Sequence, residues 1–180
     1  MEIMLLLLLP LVVWAIIIYN KLVRDKNRVL ASWSDIDVQL KRRHDLIPKL
    51  VDAVQAYSHY EQSTLDHITH LRSAAAATTT PVERERLESG LSEQVRSLLL
   101  IAEAYPDLKA GDQYLDLLRQ LSDVENHIQY ARRYYNGAVR NLNVRIDSFP
   151  DLLIARFFRF HPAAFFELES TVEVDPPEVR

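Results

Sequence analysis

Between Tyr114 and Leu142 the apolar side chains fall at Tyr114, Leu117, Leu121, Val124, Ile128, Ala131, Tyr135, Ala138 and Leu142, in alternating steps of three and four. A strand would alternate in steps of two, so the pattern demands a long helix whose single apolar seam another helix must cover. The mean step is close to 3.5 residues, the repeat of left-handed supercoiled packing. Only three of the 180 residues are glycine, which leaves little turn-forming material for a sheet protein. The fold class expected is all-α.

A second stripe runs through Ile36, Leu40, Ile47, Leu50, Val54, Tyr57, Leu65 and Ile68. It stays in phase across Pro48, although a proline inside a helix removes one hydrogen bond and crowds the carbonyl of His44 four residues back. In-phase continuation favours one kinked helix over two helices meeting near Asp45. Arg43 and Glu61 project onto this apolar face at 100° per residue, and each needs a partner inside the fold. "SAAAATTTP" at 73–81 and "AYPDLKAG" at 104–111 read as connections. Between them Leu87, Leu91, Val95, Leu98 and Ala102 repeat at helical spacing. Three long helices with short breaks make an antiparallel up-down bundle. The same seam would serve equally to join copies in a homo-oligomer.

The first stretch, "IMLLLLLPLVVWAIIIY" at 3–19, carries no charge and is slightly short of the roughly 20 residues that span a hydrocarbon core. It is read as a transmembrane helix over residues 1–20, uncleaved because no basic region precedes it and bulky residues fill its end. Lys21, Arg24, Lys26 and Arg28 follow it, so the positive-inside rule puts the N-terminus outside and the bundle, residues 21–168, in the cytoplasm. Membrane lipid is thus an expected partner. All six phenylalanines lie from Phe149 to Phe166. They are expected to be buried as a short fourth helix capping the bundle, the alternative being an interfacial segment whose Arg156 and Arg159 meet lipid phosphates. Residues 169–180 are acidic, contain two prolines and read as a disordered tail.

The chemistry legible in the chain is sparse. A formal charge of −4 argues against nucleic acid as a partner, since neutralising phosphates takes a net basic surface. With no cysteine, disulfides and thiolate metal sites are excluded. There is no glycine-rich phosphate loop, no G-x-S-x-G and no H-E-x-x-H. His59, Asp66 and His70 share a helix face, but His59 and Asp66 would stand roughly 10 Å apart along the axis, too far for one ion. Glu103, Asp107 and Asp112 flank a turn, where helix capping accounts for them. No cofactor is expected.

Four blocks, "YNKLVRDKNRVLASWSDIDVQLKRRHDLIPKLVDAV", "IAEAYPDLKA", "VENHIQYARRYYNGAVRNLN" and "FPDLLIARFFRF", resemble in order and spacing the LemA family of bacterial membrane proteins. The resemblance runs from about residue 19 to 166. It implies a single N-terminal transmembrane helix in the bacterial inner membrane, an antiparallel helical bundle and no established catalytic activity. A magnetosome-associated relative points to the organisation of membrane assemblies. The family commonly has Asn where Lys49 stands and a His-Glu pair where this chain has Tyr60 and Glu61, so only Glu61 matches there. Arg43, Glu61, Arg132, Arg133 and Asn136 are the candidates for an internal polar network or an interaction surface. The function expected is a non-catalytic, membrane-anchored interaction or scaffold module with a membrane protein partner. A metal protein or enzyme using carboxylates and histidines is the alternative.

Overall fold

The structure, a computed structural model, describes residues 2–55, 62–78, 81–102 and 111–166, without the side chains of 2–8, 62–64, 81–82 and 101–102. Among the described residues there are five helices and no strand: α1 (Glu2–Gln55), α2 (Gln62–Ala77), α3 (Pro81–Ala102), α4 (Asp112–Asp147) and α5 (Asp151–Phe157). The all-α reading holds. The second stripe is distributed over α1 and α2, and its residues 56–61, including Tyr57 and Glu61, lie outside the described residues. The helix passes through Pro48 without ending, as the in-phase stripe requires.

Two compact units divide the chain. Of the described residues, the first comprises α1 up to Leu40 with Val124–Phe165; the second comprises those between Lys41 and Asp123, with Phe166. In the first unit α1 and α4 run antiparallel. Asp25 of α1 meets Arg145 of α4, Trp33 lies 5.5 Å from Tyr135 between ring centroids, and Gln39 shares a shallow cleft with His127, so position falls along α4 as it rises along α1. The core is built from Ile18, Leu22, Val29, Ile36 and Leu40 facing Val124, Ile128, Val139, Leu142 and Ile146, all buried. Each such side chain contributes about 1.5–3 kcal/mol through burial.

α5 follows α4 through Ser148, Phe149 and a cis-bonded Pro150. It ends where Phe160 N–H donates to the Ala155 carbonyl at 2.9 Å and Arg159 N–H to that of Arg156 at 3.2 Å. This is a Schellman closure, which places the residue after the cap in the left-handed region. Glycine usually fills that place; here it is Arg159, at φ 55°. The chain beyond is tied back onto α4. Tyr135 donates its hydroxyl to the Ala164 carbonyl at 2.9 Å. Asn143 accepts from the Ala163 N–H at 2.9 Å and donates to the Ala163 carbonyl at 3.0 Å.

In the second unit α2 and α3 pack as an antiparallel hairpin, with Leu65, Ile68 and Ala75 buried on one helix and Leu91, Val95 and Leu98 on the other. A Cβ built on Gly90 would sit 3.9 Å from Leu71 Cδ1, ordinary contact distance. Pro81 opens α3, where its missing N–H costs no helical bond. Gly111 opens α4 by accepting from the N–H groups of Tyr114 and Leu115, both at 3.1 Å. From α1, Leu46, Ile47, Leu50 and Val54 complete the apolar interior of this unit with Tyr114, Leu117 and Leu121 of α4.

Two expectations are corrected. Among the described residues no helix is long and apolar enough to cross a membrane. The expected anchor over 1–20 is helical from Glu2 onward, and its side chains up to Leu8 lie outside the described residues. From Leu9 the apolar run lasts only to Tyr19 before Asn20, Lys21, Arg24 and Lys26 follow on the same unbroken helix. The phenylalanine segment does form the short helix α5, yet Phe149, Phe157, Phe158 and Phe165 are exposed and only Phe166 is fully buried. The expected tail, 169–180, lies outside the described residues.

Candidate functional site

The apolar stripe of α1 is interrupted at Arg43, and in the second unit that guanidinium turns into the fold rather than snorkelling out. It is 3% exposed and faces Glu88 of α3, which is 0% exposed. Nη2 of Arg43 donates to the Glu88 carboxylate and, at 3.2 Å, to the Glu88 backbone carbonyl. Nη1 donates to Ser92 Oγ at 2.5 Å, and that hydroxyl in turn donates to the Glu88 carbonyl at 3.0 Å. His44 closes the other side, with Nε2 2.9 Å from Glu88 Oε1. Two adjacent residues of α1 thus grip one carboxylate of α3.

Burial alone would raise the Glu88 carboxyl, but the hydrogen bond from His44 and the charge of Arg43 outweigh it and hold the group below its ordinary value. The carboxylate therefore stays ionised at neutral pH. A buried ion held this closely is compensated by the guanidinium beside it, and its loss would leave that guanidinium buried behind. The arrangement acts as a brace between α1 and α3.

The first unit carries its own polar set. Asp25, buried on the α1 stripe, accepts from Arg145 Nε at 2.6 Å, while Arg145 Nη1 donates to Asp151 at 3.0 Å. The hydrogen bond to Asp25 is the main reason the Arg145 guanidinium holds its proton more tightly than usual. Ser32, on the same stripe, is fully buried and returns its hydroxyl to the carbonyls of Val29 and Arg28 on its own helix. Burial pushes the Tyr135 hydroxyl up, which suits its role as a donor to Ala164.

Of the residues expected to carry a polar network or surface, Arg43 sits in the buried cluster and Glu61 lies outside the described residues. Arg132 and Tyr135 of the "RRYYN" block are buried, Asn136 is half-buried, and Arg133 and Tyr134 face outward. The Arg133 guanidinium lies 4.7 Å from the Tyr130 ring centroid, a cation–π contact. Arg132, Arg133 and Asn136 belong to the first unit and Arg43 to the second.

Glu88 and His44 were not singled out from sequence, although the signal for Glu88 existed. Glu88, Leu91, Val95 and Leu98 are spaced three, four and three, so Glu88 lies on the buried stripe, whereas Leu87 is only half-buried. Asp66 and His70 are exposed on α2, and His59 lies outside the described residues. Among the described residues no group of three His, Asp or Glu side chains is placed to hold a metal ion.

Helices with continuous apolar seams and buried ion pairs define a helical-bundle type of protein. Residues 32–180 match the LemA family. The chain belongs to that family. It is 32% identical over 167 residues to Protein LemA of Metamycoplasma hominis, covering 89% of this chain and 75% of that protein. It is also 23% identical to Magnetosome protein MamQ 1 of Paramagnetospirillum magneticum, over 83% of this chain and 64% of that one. Identity to Magnetosome protein MamQ of Magnetospirillum gryphiswaldense is 24%, over 82% and 64%. The chain thus spans just under two thirds of the magnetosome proteins it matches.

Proposed function

We propose that this chain is a membrane-attached, non-catalytic interaction or scaffold module, held to the bilayer by the N-terminal part of α1. The observation that carries the reading is the apolar surface of that segment. Leu9, Leu11, Val12, Val13, Ile16 and Ile17 are all exposed on successive turns, more contiguous apolar area than a helix in water tolerates without a covering phase. Lys21, Arg24 and Lys26 follow at once, the order in which a cytoplasmic flank follows a membrane segment. Family membership and relatives named for the magnetosome support a role in organising a membrane-bound assembly, with the body on the cytoplasmic face of the bacterial inner membrane.

In this reading the buried cluster at Arg43 keeps the module rigid, together with any contribution from Glu61. The outward Arg133, beside exposed Tyr130 and Tyr134, offers a surface to a membrane protein partner, with Arg132 and Asn136 supporting it from behind. The test is proximity cross-linking from the membrane-embedded full chain, with photoreactive probes at Tyr130 and Tyr134. Repeated capture of one membrane protein, lost on Arg133→Ala, supports the proposal. Recovery of the chain in the aqueous fraction after cell lysis, with no dependence on membranes, overturns it.

A further inference from the structure

The phenylalanine segment presents a physical problem that the fold does not solve: Phe157 is 80% exposed, Phe149 78% and Phe158 50%. Leaving several large aromatic rings in water forfeits much of what their burial would contribute. These rings are not scattered. The Schellman turn after α5 brings Phe158 to 4.7 Å and Phe160 to 5.9 Å from the Tyr19 ring, between centroids. Tyr19 is itself the last residue of the exposed apolar run on α1.

Behind the aromatic contact lies an open cleft of about 620 Å³ within the first unit. Tyr19, Phe158 and Phe160 form its apolar side, and Lys26, Arg159 and His161 its polar side; no carboxylate is among its lining residues. The nearby acids are engaged elsewhere, because Asp25 and Asp151 both accept from Arg145. In a chain of net charge −4, a cleft lined by cations without a counter-charge selects anions. Arg159 occupies the one left-handed backbone position of the described non-glycine residues, where glycine would be unstrained. The guanidinium is present there at a cost in backbone energy.

We infer that this cleft seats the headgroup of an anionic phospholipid, with Phe157 and Phe158 entering the interfacial layer of the same leaflet. The inference rests on the proposed membrane attachment. Lys26 follows Tyr19 by seven residues, about 10 Å along the helix axis. The headgroup layer is roughly 5–7 Å deep on each side, and a lysine side chain reaches back over the remainder by snorkelling. Aromatic rings at the level of the headgroups and basic side chains just beyond them follow the order of an interfacial element. Phosphate is the chemistry recognised. The continuity of the cleft with the apolar face of α1 assigns it to lipid rather than to a free ion.

The chain has no cysteine, so an environment-sensitive fluorophore can be placed singly at Phe157→Cys or, as a report on attachment itself, at Leu11→Cys. Each full-length variant is reconstituted into vesicles of phosphatidylcholine alone or with phosphatidylglycerol. The expected result is a blue shift at position 11 in both lipids and at position 157 only with phosphatidylglycerol. Lys26→Gln with Arg159→Gln should raise the phosphatidylglycerol fraction needed for half the shift by about fivefold or more, with circular dichroism unchanged. A probe at 157 that stays in water while the one at 11 enters lipid overturns the inference and leaves attachment standing; both in water overturns both. An equal shift at 157 in the two lipids, or its displacement by inorganic phosphate at constant ionic strength, overturns the headgroup assignment.

Discussion

Glu88→Gln keeps the shape of the side chain and removes the charge that Arg43 and His44 share. Both members of the principal pair are inside, with Glu88 0% and Arg43 3% exposed, so solvent cannot screen the loss. Removing one partner of a buried ion pair costs about 3–5 kcal/mol, because the other charge is left without compensation. For a chain of this length a kilocalorie moves the melting temperature by about 2–4 °C, giving a fall of about 6–20 °C. The assay is thermal unfolding of the full chain in detergent micelles, followed by circular dichroism, with hydrogen exchange locating the loss in α3 and the end of α1. Replacing both partners, as in Arg43→Met with Glu88→Leu, should recover most of the loss, since an apolar pair of similar volume needs no charge compensation. A shift of no more than about 0.5 kcal/mol for Glu88→Gln alone, the range of an exposed change such as Glu93→Gln, would show that the buried charge is not what joins α1 to α3.

The same carboxylate sets an acid limit. Its folded value is depressed, so its contribution is complete above the ordinary value of 4.5 and is lost as pH falls below that through the folded value; urea titrations across this range should show an acid slope that Glu88→Gln flattens. Asn143→Ala removes both bonds to Ala163 and should cost about 1–3 kcal/mol, with faster amide exchange in 161–165 and α2 unaffected. Arg159→Gly relieves a left-handed arginine against a larger unfolded-state entropy, a net gain of about 0.5–1 kcal/mol, while weakening the response to phosphatidylglycerol. A destabilised Arg159→Gly would show that the side chain packs rather than binds.

What the sequence made legible was periodicity. The α4 seam is buried at every position from Tyr114 to Leu142 except Ala131, which is half-buried, because a step pattern of three and four has one helical solution. Arg43 was identifiable as needing a partner for the same reason. Its partner was not, because the acidic residues of α3 look like a solvated face until the phase of Leu91, Val95 and Leu98 is extended back to Glu88. Extending the α1 stripe upstream of Ile36 by the same steps reaches Ser32, Val29, Asp25, Leu22 and Ile18, all of them buried. The stripe was thus truncated where polar residues first entered it. The exposed phenylalanines mark the opposite failure: composition says that such residues prefer burial, but not whether protein or lipid supplies it.

The charge of Asp25 has a further consequence for how α1 and α4 find each other in the first unit. A seam of aliphatic side chains repeating every seven residues is nearly degenerate, since sliding one helix by a heptad presents leucine to valine again. Such a slide would bring Ala138, seven residues before Arg145, opposite the Asp25 carboxylate and leave that buried ion only the exposed Arg28 of its own helix, 3.9 Å away. One charged pair, adding little net stability, thus favours a single axial alignment of the two helices over its heptad-shifted neighbours.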